Sequence, residues 1–215
     1  SFSLKEGETL GIVGESGSGK SVTSLSLMQL VPDPPGKVLP SSRIVINGRD
    51  VMKLPEREMK RIRGSEIAMI FQDPMTALNP VRRVGVQVAE GLRIRLGMSK
   101  QDAAVRAAEL LAMVGIPRPS QRVDAYSFEL SGGLRQRVMI AMTLMCEPRL
   151  IIADEPTSAL DRDNQVAFLD LMFAEVARSG AAVLLVTHDP SLAPRFDRVV
   201  ALTDVATVEM PAWSA

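Results

Sequence analysis

The chain has 215 residues, and its 25 Lys plus Arg balance 25 Asp plus Glu, so its net charge is zero. That balance argues against a general nucleic-acid binder, which needs a basic surface. With 46% hydrophobic and 23% charged residues it has the make-up of a folded chain, not a disordered one. A single cysteine, Cys146, excludes an internal disulfide, and no apolar run is long enough to cross a bilayer, so any membrane role is expected to be peripheral.

The apolar run Thr9 to Val13 predicts a buried strand leading into a glycine-rich turn. A helix is expected from Ser21 to Val31, stopped by Pro32-Asp33-Pro34-Pro35-Gly36. Ser42 to Asn47 alternates like an edge strand and closes on Asn47-Gly48, a hairpin signal. Glu56 to Arg63 reads as a short basic helix, and Ile67 to Phe71 as a strand ending at Gln72-Asp73-Pro74. From Val84 to Val114 the apolar residues keep helical spacing, most clearly from Lys100 onward. Gly132 to Cys146 and Asn164 to Arg178 are further helices, and Leu150 to Ala153 and Ala181 to Val186 further strands. Strands that end in polar residues are the pattern of buried parallel strands, whose carboxyl ends carry ligand sites in α/β proteins. The expected fold is therefore α/β: a mostly parallel sheet core, residues 1–76 and 147–215, with an inserted helical subdomain, residues 77–146.

The strongest local signal is Gly14-Glu15-Ser16-Gly17-Ser18-Gly19-Lys20-Ser21. It matches G-x-x-x-x-G-K-[ST] in full, after a strand and before a helix, which is the context the motif needs. Glycines let the backbone turn sharply and aim N–H groups inward, and the helix N-terminus, including Val22, adds donors for phosphate oxygens. Lys20 would reach the β- and γ-phosphates and the Ser21 hydroxyl would ligate Mg²⁺. A glycine-rich turn that binds nothing is the plainer alternative, but a chance match in a chain this long is on the order of one per cent. Asp154-Glu155 closes the next signal, an apolar strand ending in two carboxylates. Asp154 is the candidate Mg²⁺ ligand and Glu155 the candidate base on an attacking water.

Leu130-Ser131-Gly132-Gly133-Leu134-Arg135-Gln136-Arg137 resembles the LSGGQ-type signature of ATP-binding cassette (ABC) proteins. Gln72 resembles that family's Q-loop glutamine, Ser158-Ala159-Leu160-Asp161 its D-loop and His188 its switch histidine. Six motifs in the family's order run from Gly14 to His188. The segment Ile70 to Pro80 and the run Arg135 to Met142 resemble more narrowly the ATPase subunits of bacterial oligopeptide, dipeptide and nickel importers.

The resemblance implies a P-loop NTPase of ABC type that hydrolyses ATP with Mg²⁺ and drives a membrane importer for peptides or a related small solute. It implies a head-to-tail dimer with a second ABC ATPase subunit, each ATP lying between the phosphate loop of one and Ser131, Gly132, Gly133 and Gln136 of the other. Gln72 would complete the Mg²⁺ shell or orient water, His188 would contact the γ-phosphate, and Asp161 would link the two sites. Partners would be transmembrane permease subunits and, through them, an extracytoplasmic solute-binding protein, with the subunit at the cytoplasmic face of the inner membrane. No nucleic-acid partner is expected. Only 13 residues precede Gly14, so the family's N-terminal antiparallel β region is expected to be truncated and no adenine-stacking residue is assigned. Two other readings fit the same motifs: a soluble ABC ATPase and a non-catalytic nucleotide-gated interaction module. Lys53, Arg57, Lys60, Arg61 and Arg63 read as a solvated basic face, Cys146 as a small buried hydrophobe, and Met139, Met142 and Met145 as core filling.

Overall fold

A computed structural model of the chain describes residues 1–15, 17–34, 36–71, 78–158 and 160–205. Ser16, Gln72 and Trp213 lie outside the described residues, as does the proposed boundary between residues 76 and 77.

Five strands form one parallel sheet: β1 (Thr9–Val13), β4 (Ile67–Ile70), β5 (Leu150–Asp154), β6 (Ala182–Thr187) and β7 (Arg198–Ala201). Their spatial order is β4-β5-β6-β1-β7. All six residues of β6 are buried, because it lies between β5 and β1 and its two faces are covered. Register is given by Ile151 opposite Val183 and Ile12 opposite Val186. Four of these strands were legible as apolar runs. The edge strand β7 was not, since all four of its residues are only half-buried and it opens on Arg198.

The edge strand expected over Ser42 to Asn47 is a separate device. Val45–Ile46 (β2) pairs antiparallel with Arg49–Asp50 (β3) and does not join the main sheet. Asn47 and Gly48 have φ of 49° and 74°. Such a turn closes a two-residue hairpin and pairs the strand locally.

Helix α1 (Lys20–Leu27) ends earlier than the prolines would require. Gln29 enters the left-handed region at φ 50°, and Leu30 N–H donates back to Leu25 O at 2.8 Å, which closes the helix. Arg63, read from sequence as part of a solvated face, has another task. Its Nε donates to Met28 O at 2.7 Å and its Nη2 to Gln29 O at 3.0 Å, while Nη1 pairs with Glu56 at 2.7 Å. A cation thereby satisfies carbonyls at the carboxyl end of the helix that follows the phosphate loop. Helix α2 (Glu56–Ile62) carries Arg63 as its C-cap.

The long helical pattern after Val84 divides into α3 (Val84–Leu96) and α4 (Lys100–Met113). Gly97 stops the first at φ 67°, and the Ser99 side chain accepts from Asp102 N–H to start the second. A short turn of helix, α5 (Pro119–Arg122), precedes α6 (Gly132–Leu144) and α7 (Arg162–Ser179), and α8 (Leu202–Val205) follows β7.

The two faces of the sheet bury different clusters. Ile151, Ala153, Val183 and Leu185 share one with Val84, Leu92, Leu111, Val138 and Met172 from the helices. Ile152, Leu184 and Val186 point the other way, onto Leu10, Ile12, Met28 and Met59, as the period of two in a strand requires. Each fully buried Leu, Ile or Val contributes about 1.5–3 kcal/mol. The helical block therefore shares a continuous core with the sheet. Met139 is buried within it, and Met145 reaches Gly91 on α3. Cys146 is half-buried, and burial pushes its thiol up from its ordinary value.

Candidate functional site

The order β5-β6-β1 brings three adjacent carboxyl ends to one edge of the sheet. β1 delivers the glycine loop, β5 delivers Asp154 and Glu155, and β6, between them, delivers Thr187 and His188. In sequence 133 residues separate Ser21 from Asp154 and 33 separate Glu155 from His188, and strand order brings them together.

Gly17 and Gly19 hold φ of 81° and 94°, which residues with a Cβ rarely adopt. At Gly14 the limit is space: a Cβ there would stand 2.7 Å from Ser18 Oγ. Gly19 is the N-cap of α1 and supplies no side-chain cap, so the first-turn N–H groups are left to the loop. Val22 is 55% exposed, which leaves its backbone N–H as its contribution. Lys20 is 4% exposed and its ammonium is turned into the loop. Nζ donates to Gly14 O at 2.9 Å and Glu15 O at 2.7 Å, and it lies 3.5 Å from Glu155 Oε1. Ser18 Oγ is buried with no hydrogen-bond partner among the described residues.

Ser21 Oγ donates to Asp154 Oδ1 at 3.0 Å. Asp154 is 5% exposed. Burial holds its carboxyl above the usual range, against the Ser21 hydrogen bond; neighbouring Glu155 adds to the rise and Lys20 opposes it. Glu155 adopts φ 44°, and its N–H donates to Val186 O at 2.9 Å. Its carboxylate spans two partners, Lys20 through Oε1 and His188 through Oε2, to which His188 Nδ1–H donates at 3.0 Å. The His188 side chain is 58% exposed, and this hydrogen bond leaves Nε2 for a ligand. Its loop is pinned on the far side, where Asp189 N–H donates to Thr187 Oγ1 at 3.0 Å and Asp189 accepts from Ser191 N–H at 2.9 Å. A cleft of about 260 Å³ opens beside Glu155 and His188, lined also by Thr157, Gln165, Thr187 and Asp189. Sequence reasoning named neither Thr187 nor Gln165. No motif marks them, and only the fold brings them to the cleft. A larger cavity, about 440 Å³, lies at the other end of the sheet beneath Phe2 and Leu4, against Leu150 and Ala182, the first residues of β5 and β6. It holds none of the expected site residues.

Signature residues form a second group. Ser131 is the N-cap of α6 and accepts from Leu134 N–H at 3.4 Å. Ser131 and Gly132 are exposed and Gly133 half-buried. A Cβ on Gly133 would stand 3.2 Å from Asn164 Oδ1. Asn164 in turn donates to Asp161, from N–H at 3.0 Å and from Nδ2 at 2.8 Å, and these bonds hold the Asp161 carboxyl below its ordinary range. The signature and the turn carrying Asp161 are thus neighbours within one chain. Among the described residues no hydrogen bond or ion pair joins Ser131, Gly132 or Gly133 to Lys20, Asp154, Glu155 or His188.

Gln136 corrects an expectation. It was grouped with the nucleotide-contacting residues, yet it is 2% exposed and its Nε2 donates to Pro156 O at 3.1 Å. Helical spacing is the reason: Gln136, Met139, Ile140 and Thr143 are all buried and form the inner face of α6.

Known proteins resemble this chain in sequence and in fold. The family model described as ABC transporter matches residues 1–158. The dipeptide transport ATP-binding protein DppD of Escherichia coli (strain K12) is 48% identical over 192 residues, 89% of this chain and 58% of that protein. The oligopeptide transport ATP-binding protein OppD of Bacillus subtilis (strain 168) is 52% identical over 188 residues, 87% of this chain and 52% of that protein. The chain therefore spans little more than half the length of these curated relatives. Among solved structures, the ATP-binding cassette MJ0796, in a dimeric post-hydrolysis state bound to ADP and Pi, superimposes with a TM-score of 0.79. It is 30% identical, with 93% of this chain and 83% of that one covered.

Proposed function

The chain belongs to the ABC transporter family, and from that premise we propose that it binds and hydrolyses ATP to power a membrane importer for peptides or a related small solute. The observation that carries this reading is the contact of the Glu155 carboxylate with both Lys20 and His188, with Ser21 bonded to Asp154 beside it.

In this reading Lys20 Nζ exchanges the Gly14 and Glu15 carbonyls for β- and γ-phosphate oxygens, held by the α1 N-terminus. Glu155 accepts the proton of the attacking water, or polarises it, as water adds to the γ-phosphorus and the bond to ADP breaks. His188 presents Nε2 to the γ-phosphate while Glu155 fixes its ring. Ser21 Oγ and Asp154 Oδ1 are hard oxygen donors side by side, a pair that suits Mg²⁺, which keeps few protein ligands and takes the rest from phosphate and water. Held there, Mg²⁺ would supply neutralisation of the phosphate charge. Gln72 is assigned to the same shell on the family resemblance alone.

The signature stands apart from the Lys20 site, which supports pairing with a second ATPase subunit. Ser131 and the Gly133 N–H would close on the γ-phosphate held by the partner, and Asp161 would link the two sites. Residues 1–76 and 147–215 would act as the ATPase core and residues 77–146 as the helical subdomain carrying the signature, and the family resemblance assigns permease docking to the groove between them, near Gln72 to Pro80. There Val81, 80% exposed just after the Gln72 segment, is a suitable contact. In this reading the subunit works at the cytoplasmic face of the inner membrane, and an extracytoplasmic solute-binding protein delivers solute to the permease on the other side. Among the described residues no helix is long and apolar enough to cross a membrane.

The test is the solution mass of Glu155→Gln by light scattering, with and without Mg-ATP, alongside a nucleotide titration. An ATP-dependent doubling is expected. A sample that binds Mg-ATP yet stays monomeric, alone and with its co-expressed sister ATPase, would refute the shared-site dimer. A sample that binds no ATP would refute the nucleotide reading.

A further inference from the structure

Glu155 sits in the left-handed region at φ 44°, which costs a residue with a side chain, and it precedes a proline, which narrows its choices further. Such strain persists only where the surroundings impose it. The bonds that impose it can be followed along the turn. Glu155 N–H donates to Val186 O, and Ser158 N–H donates to Glu155 O at 3.1 Å. The next carbonyl, Pro156 O, takes Gln136 Nε2 at 3.1 Å. The following ones, Thr157 O and Leu160 O, take Gln165 Nε2 at 3.1 and 3.2 Å. Two glutamine amides therefore hold the turn behind the carboxylate. Gln165 comes from the adjoining helix α7, but Gln136 comes from α6, twenty residues before Pro156.

Gln136 is a costly way to fill that space. Its Oε1 is buried with no partner among the described residues. A buried acceptor left unpaired opposes folding, and an apolar side chain of the same shape avoids that cost. What the amide supplies in return is the N–H on Pro156 O.

We propose that Gln136 is a positioning residue for hydrolysis, holding the Pro156 carbonyl and through it the strained Glu155 backbone, so that the carboxylate stays in contact with Lys20 and His188. It touches no nucleotide and acts through the turn. This rests on the reading of Glu155 as the group that acts on water. Because α6 begins at the signature, the same amide ties the signature helix of a subunit to that subunit's own Glu155.

The test uses the full chain as wild type, Gln136→Met and Gln136→Leu. Met keeps the length without a donor, and Leu is a shorter apolar side chain that also lacks one, so it serves if the Met variant does not fold. Steady-state ATP turnover, the ATP dissociation constant and Tm are measured on each. Misplacing a reacting group by an ångström is worth up to about a hundredfold. The expected result is a kcat lower by at least about tenfold, with ATP affinity within about twofold of wild type and Tm little changed. A folded variant with wild-type kcat would overturn the proposal. So would a parallel loss of kcat, ATP affinity and Tm, which marks a merely structural residue. If wild type binds ATP but does not hydrolyse it, the hydrolase reading itself fails, and this inference with it.

Discussion

Replacing Ser21 by alanine deletes the hydroxyl that donates to Asp154 Oδ1 at 3.0 Å. The carboxylate is 5% exposed and already disfavoured by burial, so water does little to replace the lost donor. A hydrogen bond to a charged group is worth about 1.5–3 kcal/mol. In a chain of this size each kcal/mol moves Tm by about 2–4 °C, so Ser21→Ala should lower Tm by about 3–12 °C without Mg²⁺ or nucleotide. In an Asp154→Asn background the same change removes only a neutral hydrogen bond, about 0.5–1.5 kcal/mol. The cycle of four proteins, unfolded in urea at pH 7, should therefore show a coupling of about 1 kcal/mol or more between the two positions. Equal cost of Ser21→Ala in both backgrounds would refute the argument that charge burial sets the strength of this contact. A Tm shift below about 1 °C for the single variant would do the same.

Three further outcomes are expected. Lys20→Met should raise the ATP dissociation constant by at least about tenfold in a binding titration, with the fold intact by circular dichroism; unchanged affinity would remove Lys20 from the phosphate site. Acid should loosen the edge of the sheet. Thr9 N–H and Oγ1–H donate to Asp197, and Arg198 pairs with Glu8, so both carboxyls are held below their ordinary values. A depressed folded pKa contributes stability above the unfolded value, about 3.9 for Asp and 4.3 for Glu, and that contribution is lost as pH falls through the folded one. Urea midpoints should drop between about pH 5 and 3, and Asp197→Asn should flatten that slope; an unchanged slope would count against the contact. Finally, a Cβ at Gly85 would stand 2.6 Å from Val123 Cβ and 2.8 Å from its carbonyl oxygen. Gly85→Ala should cost about 1–3 kcal/mol in thermal unfolding, and a neutral result would show that the α3 entry can shift freely.

What sequence alone determined is what consecutive residues build. The phosphate loop is a run of eight neighbours whose glycines and helix start depend only on local backbone geometry, so Gly14 to Ser21 was legible in full. The same holds for the apolar runs that became β1, β4, β5 and β6. The strand ending in two carboxylates gave Glu155 its role and resemblance gave His188 its own, but no spacing could place them against Lys20. That contact exists because β6 lies between β5 and β1, a choice made by the packing of sheet faces and not by any local preference. Tertiary structure likewise decided that Arg63 caps α1 instead of facing solvent, and that Gln136 turns inward to Pro156 instead of outward to a nucleotide. Polar side chains are ambiguous in sequence because water or a distant carbonyl can satisfy them equally well. Which of the two does so is settled only when another element arrives beside them.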